Sequence, residues 1–407
     1  MKFILSFLLI NISTLVYSQV PGCTDFAALN YNQQASVNDG SCLYANATVA
    51  VNWSKPLPGE MESTSGLLVF EDSLLTHGDM EDNSLYLFHP NSPEDFSVYP
   101  IENMVVDDWE EITEDAYYFY NGDFGNNEYG NRQNLRIYKF KKEDLRNSPT
   151  PDSIYFNYEL QTDFSYQAAH STDFDCEAFI VRNNKIYLFT KEWISEQTSI
   201  YELDTTIGQQ TAIYKGSLNV NGLITGSVHF PDKQLIVLSG YSKLLKPFVY
   251  LLYDFQEDDF FGGNKRKIEL DIPYCQIEAI ASEDGLIYYL TNENFGTFHQ
   301  KLHQVDLSPY LNHYLHPSTL SLNDFKNGSG IKIYPNPTTG VLQFSFFNGV
   351  ESLTVEMYDA LGRLLFVKEV NNGEHLSLNE YANITTGYYS LRCWNEKVNY
   401  VEKIVVQ

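Results

Sequence analysis

The sequence predicts an all-β protein in which a five-bladed β-propeller, with six blades as the alternative, precedes an immunoglobulin-like β-sandwich. Three observations predict this fold class: an aromatic-rich composition, a degenerate strand repeat in the middle of the chain, and a series of short strands at its end. With 407 residues, the chain is long enough for two or three domains. Its 30 tyrosines and 26 phenylalanines, with few runs of good helix formers, favour half-buried strands.

Residues 1–18 have the pattern of a signal peptide. Lys2 precedes the apolar run 3–15, and the small residues Val16 and Ser18 stand at positions −3 and −1 of a cut before Gln19. The apolar run is too short to span a bilayer comfortably, and no later stretch reaches about 18 consecutive apolar residues. We therefore expect a mature protein that lies outside the cytoplasm and has no transmembrane segment.

Residues 19–44 form a short polar segment in which Cys23 and Cys42 are predicted to form a disulfide in an oxidising compartment. The segment fits the form CTDxxAxNYNxxAxxxDGSC and resembles the Cys-paired repeats that occur beside other modules in exported bacterial proteins. Its side-chain oxygens could hold calcium or could stabilise turns without a metal. These oxygens belong to Asp25, Asn30, Asn32, Asn38 and Asp39.

The central region, 45–317, contains five copies of a weak repeat. Each copy opens with a strand that carries a polar residue, and a second strand reaches its own polar end 13 or 14 residues later. The openings are Ser65, Glu110, Glu177, Thr225 and Glu278, and the second-strand ends are Asp79, Asp123, Lys191, Ser239 and Asn292. A third strand follows in each copy and a fourth in four of them, so each copy predicts a four-stranded antiparallel meander.

The spacing of the copies is that of propeller blades. Successive openings lie 45, 67, 48 and 53 residues apart, and periods of about 45 residues are typical of blades, because one such sheet cannot bury both of its faces alone. The last copy lacks a clear fourth strand, whereas ATVAVNW before the first copy supplies a spare one. We expect this spare strand to close the ring, since closure removes exposed sheet edges.

The pattern changes after residue 317. Residues 318–330 are rich in Ser, Asn and Gly, and we expect a linker there. Residues 331–407 then contain about seven short strands, the number that an immunoglobulin-like sandwich needs.

Four motifs occur in order within this last segment: IKIYPNPTTGVLQF, VEMYDALGRLL, TTGYYSLRCW and EKIVV. Together they resemble the type A-like C-terminal sorting domain of the type IX secretion system of Bacteroidota. The matching residues are Tyr334, Pro335, Asn336, Pro337, Asp359, Gly362, Arg363, Gly387, Tyr388 and Lys403. The tail VVQ departs from the family, whose members commonly finish on a basic residue. The resemblance implies export through the periplasm by the type IX machinery, followed by release or attachment at the outer-membrane surface.

The net charge narrows the range of partners. Fifty-three acidic side chains against 26 basic ones give a net charge of −27, which would repel nucleic acid. Either the excess acid solvates an extracellular surface or part of it binds a cation such as calcium.

Three of the five repeat openings are glutamates, namely Glu110, Glu177 and Glu278. Because the first strand of each propeller blade lines the central channel, we expect these carboxylates to converge near one mouth of the channel. Carboxylates in a narrow funnel repel one another unless a proton or a cation relieves them. Calcium bound by these three glutamates is one interpretation, and solvated carboxylates are the other.

The repeat also resembles a group of uncharacterised exported bacterial propellers, through SGL…THGD, DWEEIT…NGDFGNN…R, DCEAFI…LFTK and QIEAIA. Gly78 and Met80 in the first motif depart from that group, as does the run 227–229 in the fourth copy. The resemblance implies that one funnel receives a set of ligand-binding candidates. They are His77, Asp79, Glu110, Asp123, Asn126, Asn127, Arg132, Glu177, Lys191 and Glu278.

Two functions compete on these observations. The first is an exported protein that binds an unknown extracellular ligand or partner through its funnel and has no catalysis of its own. The alternative is a calcium-dependent hydrolase, similar to phytases or esterases, that would use His77, Glu110, Glu177 and Lys191. The sequence contains no GxSxG, HExxH or P-loop motif that would support a particular reaction, so no catalytic residue is assigned.

Overall fold

The structure of the protein, a computed structural model, describes residues 19–79, 82–296, 298–316, 331–346, 350–359, 363–381, 384–395 and 399–407. The predicted signal peptide, the predicted linker at 318–330 and Gly362 lie outside these residues. The chain divides into two compact units, with the division after residue 317. Strands dominate both units, which confirms the predicted all-β class.

The first unit begins with the disulfide-linked segment. Cys23 and Cys42 are bonded, as predicted, and the strands β1 (Pro21–Gly22) and β2 (Val37–Asn38) pair in parallel within the segment. The strand β3 (Thr48–Pro56) follows and contains most of the segment predicted to close the ring.

Five antiparallel meanders then follow, each with its strands paired in chain order, and parallel pairing at the rim joins four of these meanders into two eight-stranded sheets. Their strands are β4 (Thr64–Phe70), β5 (Ser73–Gly78), β6 (Ser84–His89) and β7 (Ser92–Pro100); β8 (Trp109–Glu114), β9 (Tyr118–Asp123), β10 (Arg136–Lys141) and β11 (Asp152–Tyr158); β12 (Asp175–Arg182), β13 (Lys185–Lys191), β14 (Gln197–Asp204) and β15 (Gly208–Asn219); β16 (Leu223–Phe230), β17 (Leu235–Tyr241), β18 (Pro247–Tyr253) and β19 (Asn264–Asp271); β20 (Ile277–Ala281), β21 (Ile287–Asn292) and β22 (Lys301–Asp306). The helix α1 (Ser308–Leu315) ends the unit, and short 3₁₀ turns lie at Gly59–Met61, Lys142–Asn147 and Pro231–Lys233.

These meanders form a ring. The first strands of the meanders, β4, β8, β12, β16 and β20, contact one another in this cyclic order, and β20 returns to β4. The fifth meander takes its outer strand from the other end of the unit, because β3 pairs with β22. At the rim, β11 pairs with β15 and β3 with β19, both in parallel. The arrangement is that of a β-propeller around a central channel, and the first strand of each meander is its inner strand.

Successive side chains of a strand point to opposite faces of its sheet, which explains why the second strands are apolar along most of their length. Leu74 in β5 packs into a core shared with the fifth meander, whereas Leu75 packs into a core shared with the second meander. In β17, Ile236 and Val237 divide in the same way between the cores facing the third and fifth meanders. Each meander therefore buries both faces, which one isolated meander could not do.

The second unit contains β23 (Ile331–Tyr334), β24 (Val341–Phe346), β25 (Ser352–Tyr358), β26 (Leu364–Asn371), β27 (His375–Ser377), β28 (Gly387–Trp394) and β29 (Asn399–Val406), with a 3₁₀ turn at Leu378–Glu380. One sheet has the order β23-β24-β27 and the other β26-β25-β28-β29. Residues of β25 alternate between buried and half-buried, and the buried ones join the single core between the sheets. The unit is thus a β-sandwich.

Candidate functional site: an acidic funnel on the propeller axis

Every inner strand has a β-bulge at the polar residue that opens the repeat. The pairing with the second strand skips one residue in four blades, and Ser65 with Gly66 in the first. The skipped residues in the other blades are Glu110, Glu177, Thr225 and Glu278. A bulge breaks the strict alternation of a strand and re-aims one side chain. The repeat seen in the sequence therefore corresponds to a β-bulge that recurs in each inner strand, with a polar residue at the bulge.

Four of the five bulge residues, Ser65, Glu110, Glu177 and Glu278, line a cavity of about 70 Å³, which we call the acidic funnel, whereas Thr225 does not line it. Six carboxyl groups line it, and the described residues place one ammonium group, that of Lys191, among them. The lining residues are Ser63, Thr64, Ser65, Asp79, Asp108, Glu110, Asn127, Glu177, Lys191, Gln276, Glu278 and Glu293. Sequence reasoning placed Asp79, Glu110, Asn127, Glu177, Lys191 and Glu278 in one funnel, and the structure brings these six together.

Lys191 forms a buried ion pair with Glu177. Its Nζ donates to Oε1 of Glu177 at 2.6 Å and to Oε2 at 2.5 Å, and both side chains are 3% exposed. The next carboxylate, Oε2 of Glu278, lies 4.0 Å from the same nitrogen. Burial lowers the pKa of Lys191, but the charge of Glu177 outweighs burial and raises this pKa well above its usual value. Lys191 is therefore charged and neutralises one carboxylate of the funnel.

Oxygens of Glu110 and Asp108 lie together beside Gly125. A Cβ at Gly125 would lie 2.2 Å from Oε1 of Glu110 and 2.3 Å from Oδ2 of Asp108, so both oxygens occupy the space that glycine leaves free. Burial raises the pKa of Asp108 to about 7, and the charge of Asp175 adds to this shift. Burial and the charge of Glu177 raise the pKa of Glu110 well above its usual value.

Asp175 is a member of the site that sequence reasoning missed. Its carboxylate, with those of Glu110 and Glu177, supplies three oxygens within 4.8 Å of one another. Asp175 also holds the funnel wall, since it accepts hydrogen bonds from the backbone N–H of Asn126 at 2.7 Å and from Nε1 of Trp193 at 2.8 Å. The signal was present in the sequence, because an aspartate stands two residues before the bulge glutamate in both DWE and DCE.

Four of the predicted residues, His77, Asp123, Asn126 and Arg132, do not line the funnel. Asp123 is fully buried and paired with Arg132 at 2.9 Å and Arg136 at 2.6 Å. Arg132 also donates to the carbonyl oxygen of Gly125 at 2.7 Å. These side chains therefore support the wall that carries Gly125.

His77 and Asn126 have comparable supporting positions. His77 is fully buried, its Nδ1 lies 2.8 Å from the carbonyl oxygen of Gly78, and its ring packs edge-on against Trp109. Burial lowers the pKa of His77 to about 4, so the imidazole is neutral near pH 7. Asn126 donates from Nδ2 to the carbonyl oxygen of Phe174 at 3.0 Å and joins two loops of the wall.

The sorting motifs of the second unit meet in space. Asn336 donates from Nδ2 to the carbonyl oxygen of Lys403 at 2.6 Å and accepts from the backbone N–H of Val405 at 3.0 Å. Gly387 and Tyr388 pair with the same terminal strand, and Nζ of Lys403 lies 4.1 Å from the ring centre of Tyr388. Pro335 and Pro337 follow cis peptide bonds on either side of Asn336. The motif residues thus fix the last strand of the sandwich to its first.

Comparison with family models gives a match over residues 332–407 to the secretion system C-terminal sorting domain. This segment is a C-terminal sorting domain. The match confirms the predicted resemblance, and the sorting domain implies a protein that interacts with the type IX secretion machinery and is secreted or held at the outer-membrane surface. Among the described residues, no helix is both long and apolar enough to span a membrane.

Several solved structures match parts of this chain. PorZ, a surface component of the type IX secretion system of Porphyromonas gingivalis, is 13% identical with a TM-score of 0.32, and the match covers 84% of this chain but only 45% of PorZ. Glutaminyl cyclase of Myxococcus xanthus is 10% identical with a TM-score of 0.39, and the match covers 64% of this chain and 99% of that one.

The exo-beta-1,3-galactanase of Phanerochaete chrysosporium is also 10% identical with a TM-score of 0.39, and the match covers 92% of this chain and 93% of that one. At these identities and TM-scores the matches carry no argument about this chain. No curated protein matches the sequence.

Proposed function

We propose that the protein acts outside the cell as a binding protein whose acidic funnel takes a cationic ligand. The supporting observation is the charge balance of the funnel: six carboxyl groups face one ammonium group, and that ammonium is already paired with Glu177. Burial raises the pKa of Asp108 to about 7 and that of Glu293 to about 8, so the free funnel retains protons near neutral pH. A bound cation would replace these protons.

Calcium is the simplest such cation, and the oxygens that the funnel offers fit it. Oxygens of Glu110, Asp175 and Glu177 lie within 4.8 Å of one another, a spacing that an ion with ligands at about 2.3–2.6 Å can bridge. Glu278, proposed from the sequence as the third ligand, is not one of the three carboxylates whose oxygens lie this close together. We therefore propose Asp175 in its place, with Glu278 in an outer position.

Thermal melting tests calcium binding. A ligand that binds only the folded state must raise stability, by about 2.7 kcal/mol at a concentration one hundred times its dissociation constant. We expect calcium to raise the melting temperature of the mature protein and a chelator to reverse the effect. Glu110→Gln should abolish the rise, whereas Glu143→Gln, an exposed glutamate paired with Lys141, should preserve it. An unchanged melting temperature in wild type would exclude calcium.

The hydrolase remains the second candidate because Asp108 and Glu293 have pKa values near neutrality, where a general acid or base works best. His77 lies behind the funnel wall, so such a reaction would use the carboxyl groups and Lys191. Incubation with phosphoester and carboxyl-ester substrates separates the two functions. Turnover that is abolished both by a chelator and by Glu177→Gln would establish the hydrolase, and the absence of turnover would support binding alone.

We propose that export uses the signal peptide and the sorting domain in sequence, first to the periplasm and then to the cell surface. In a bacterium with a type IX system, deletion of residues 332–407 should trap the protein in the periplasm. Deletion of residues 2–18 should hold it in the cytoplasm. Fractionation and immunoblotting report the position, and surface display without residues 332–407 would contradict the proposed route.

A further inference from the structure

The acidic funnel continues sideways into a second cavity of about 370 Å³, which we call the side pocket. The two cavities share Asn127, Lys191, Gln276 and Glu293, so they form one cleft. The remaining wall of the side pocket is largely apolar or aromatic, and it comes from the loops and strand ends of three blades. These residues are His170, Trp193, Leu223, Tyr241, Lys243, Leu245 and Phe295.

The hydrogen bonding of Glu110 indicates the chemical class of ligand that the polar end of this cleft binds. Its side chain is buried, with 5% of its surface exposed, and it lines the funnel. Oε2 accepts only a long 3.5 Å bond from the Ser65 hydroxyl, and the described residues place no donor on Oε1. The protein therefore supplies this carboxylate with few of the hydrogen bonds that normally compensate desolvation. A positively charged donor would supply them.

The apolar end does not offer an open stacking platform. His170 stacks on Trp193 with ring centres 3.9 Å apart and planes at 21°, and Nζ of Lys191 lies 4.9 Å from the centre of the Trp193 ring. Because Trp193 already has these partners, it is poorly placed to stack on a flat ligand such as a sugar ring. Leu245 and Phe295 instead offer apolar surface, and Phe295 is 48% exposed.

We propose that this cleft binds a peptide segment in which a lysine or arginine side chain enters the acidic funnel and an adjacent aromatic or aliphatic side chain fills the side pocket. The inference rests on the proposed function and names the ligand class of that funnel. A charged group beside an apolar side chain matches the two ends of the cleft. The protein's net charge of −27 attracts basic peptides and repels acidic ones.

Calorimetric titration of the mature protein with three short peptides tests both ends of the cleft. The reference is acetyl-phenylalanyl-lysine amide; one variant carries uncharged norleucine for lysine, and another carries glycine for phenylalanine. Loss of the charge should weaken binding about tenfold or more, as expected for a charge-assisted hydrogen bond. Loss of the aromatic side chain should weaken it about fivefold through lost apolar burial.

Two protein variants test whether the lysine side chain binds in the acidic funnel and the phenylalanine side chain in the side pocket. Glu110→Gln should weaken the lysine peptides about tenfold and leave the norleucine peptide unchanged. Phe295→Ala should remove the preference for phenylalanine over glycine while the effect of lysine persists. Phe298, 37% exposed and bridged to Phe295 through the backbone, does not line the side pocket, so Phe298→Ala is the matched control.

The outcomes separate this inference from the proposed function. If calcium raises the melting temperature but no lysine peptide binds, the funnel takes cations and the peptide inference is wrong. Equal binding of the lysine and norleucine peptides would also overturn it, as would a neutral oligosaccharide that competes for the site. If neither calcium nor any peptide binds, both proposals fail.

Discussion

Glu111, which does not line the funnel, connects inner strands of the propeller through hydrogen bonds. It follows the bulge glutamate Glu110, is fully buried, and accepts backbone hydrogen bonds from Leu67 at 3.3 Å, Ile112 at 3.0 Å and Ser227 at 2.9 Å. These donors lie in the inner strands of the first, second and fourth blades. Burial raises the pKa of Glu111 well above its usual value, and the three N–H groups oppose that rise. One carboxyl group thus joins three blades across the channel.

Glu111→Ala should therefore destabilise the propeller strongly. The substitution leaves buried N–H groups without acceptors, and each such group costs about 1–3 kcal/mol. We expect a loss of about 3–5 kcal/mol in the free energy of unfolding, measured by urea denaturation followed by tryptophan fluorescence. Glu143→Ala, at an exposed position, is the control and should change little. A loss below about 1 kcal/mol would show that water replaces the carboxylate.

Gly125→Ala should impair cation binding in the acidic funnel. The new methyl group would meet Oε1 of Glu110 at 2.2 Å, and Oδ2 and Cγ of Asp108 at 2.3 and 2.4 Å, so both side chains would have to turn aside. The displaced carboxyl groups would no longer face the funnel, so the calcium-dependent rise in melting temperature should disappear. Gly59→Ala is the matched control, since nothing lies within 4 Å of the added atom. A preserved calcium response would place the cation elsewhere.

At the scale of elements, the sequence predicted the strands and the chemistry at their ends better than it predicted the loops. The polar opening of each inner strand was visible because a bulge repeats at a constant distance from the end of the second strand. The supporting role of Asp123 was not visible, because Arg136, which pairs with it, lies in the neighbouring strand at a position that no motif marks. The side pocket likewise depends on Trp193 and Phe295, which three-dimensional packing alone brings together.

The disulfide-linked segment is an element of the propeller, and its oxygens are used for folding. Asn30 and Asp39 accept hydrogen bonds from backbone N–H groups of the segment, and Asn38 also donates to Asp254 at 2.9 Å. Asp25 accepts from the hydroxyls of Tyr253 at 2.6 Å and Tyr44 at 2.7 Å. These contacts favour turn stabilisation over calcium for this segment.

Asp25→Asn should destabilise the protein in a pH-dependent way. Burial raises the pKa of Asp25, but hydrogen bonds from His313, Tyr253, Ala27 and Tyr44 outweigh it and hold this pKa well below its usual value. A depressed pKa means that the stabilisation is fully present above the unfolded-state pKa of about 3.9 and is lost as pH falls through lower values.

We therefore expect wild type to exceed Asp25→Asn by about 2 kcal/mol at pH 7, with the difference shrinking below about pH 4. Urea denaturation across this pH range measures the difference. Asp72→Asn, at an exposed turn position, should show no such trend. A difference that stays constant down to about pH 2 would mean that the carboxylate charge does not contribute.

At the scale of the whole molecule, the ring depends on a strand that comes from outside the repeat. β3 pairs with β22 to complete the fifth blade and with β19 at the rim. Val49 and Val51 of this strand pack against the core between the fourth and fifth blades. Without β3, two strand edges and part of that core would face water, and such edges promote aggregation.

Two truncations of the mature chain test this dependence. A chain that starts at residue 45 keeps β3 and loses only the disulfide-linked segment, so it should unfold cooperatively at a lower urea midpoint. A chain that starts at residue 57 lacks β3, so its propeller should lose cooperative unfolding, bind a hydrophobic dye and aggregate. The slope of unfolding free energy against urea, which scales with the surface exposed on unfolding, decides between the outcomes. If both truncated chains unfold with the slope of the mature protein, the ring holds without its closing strand.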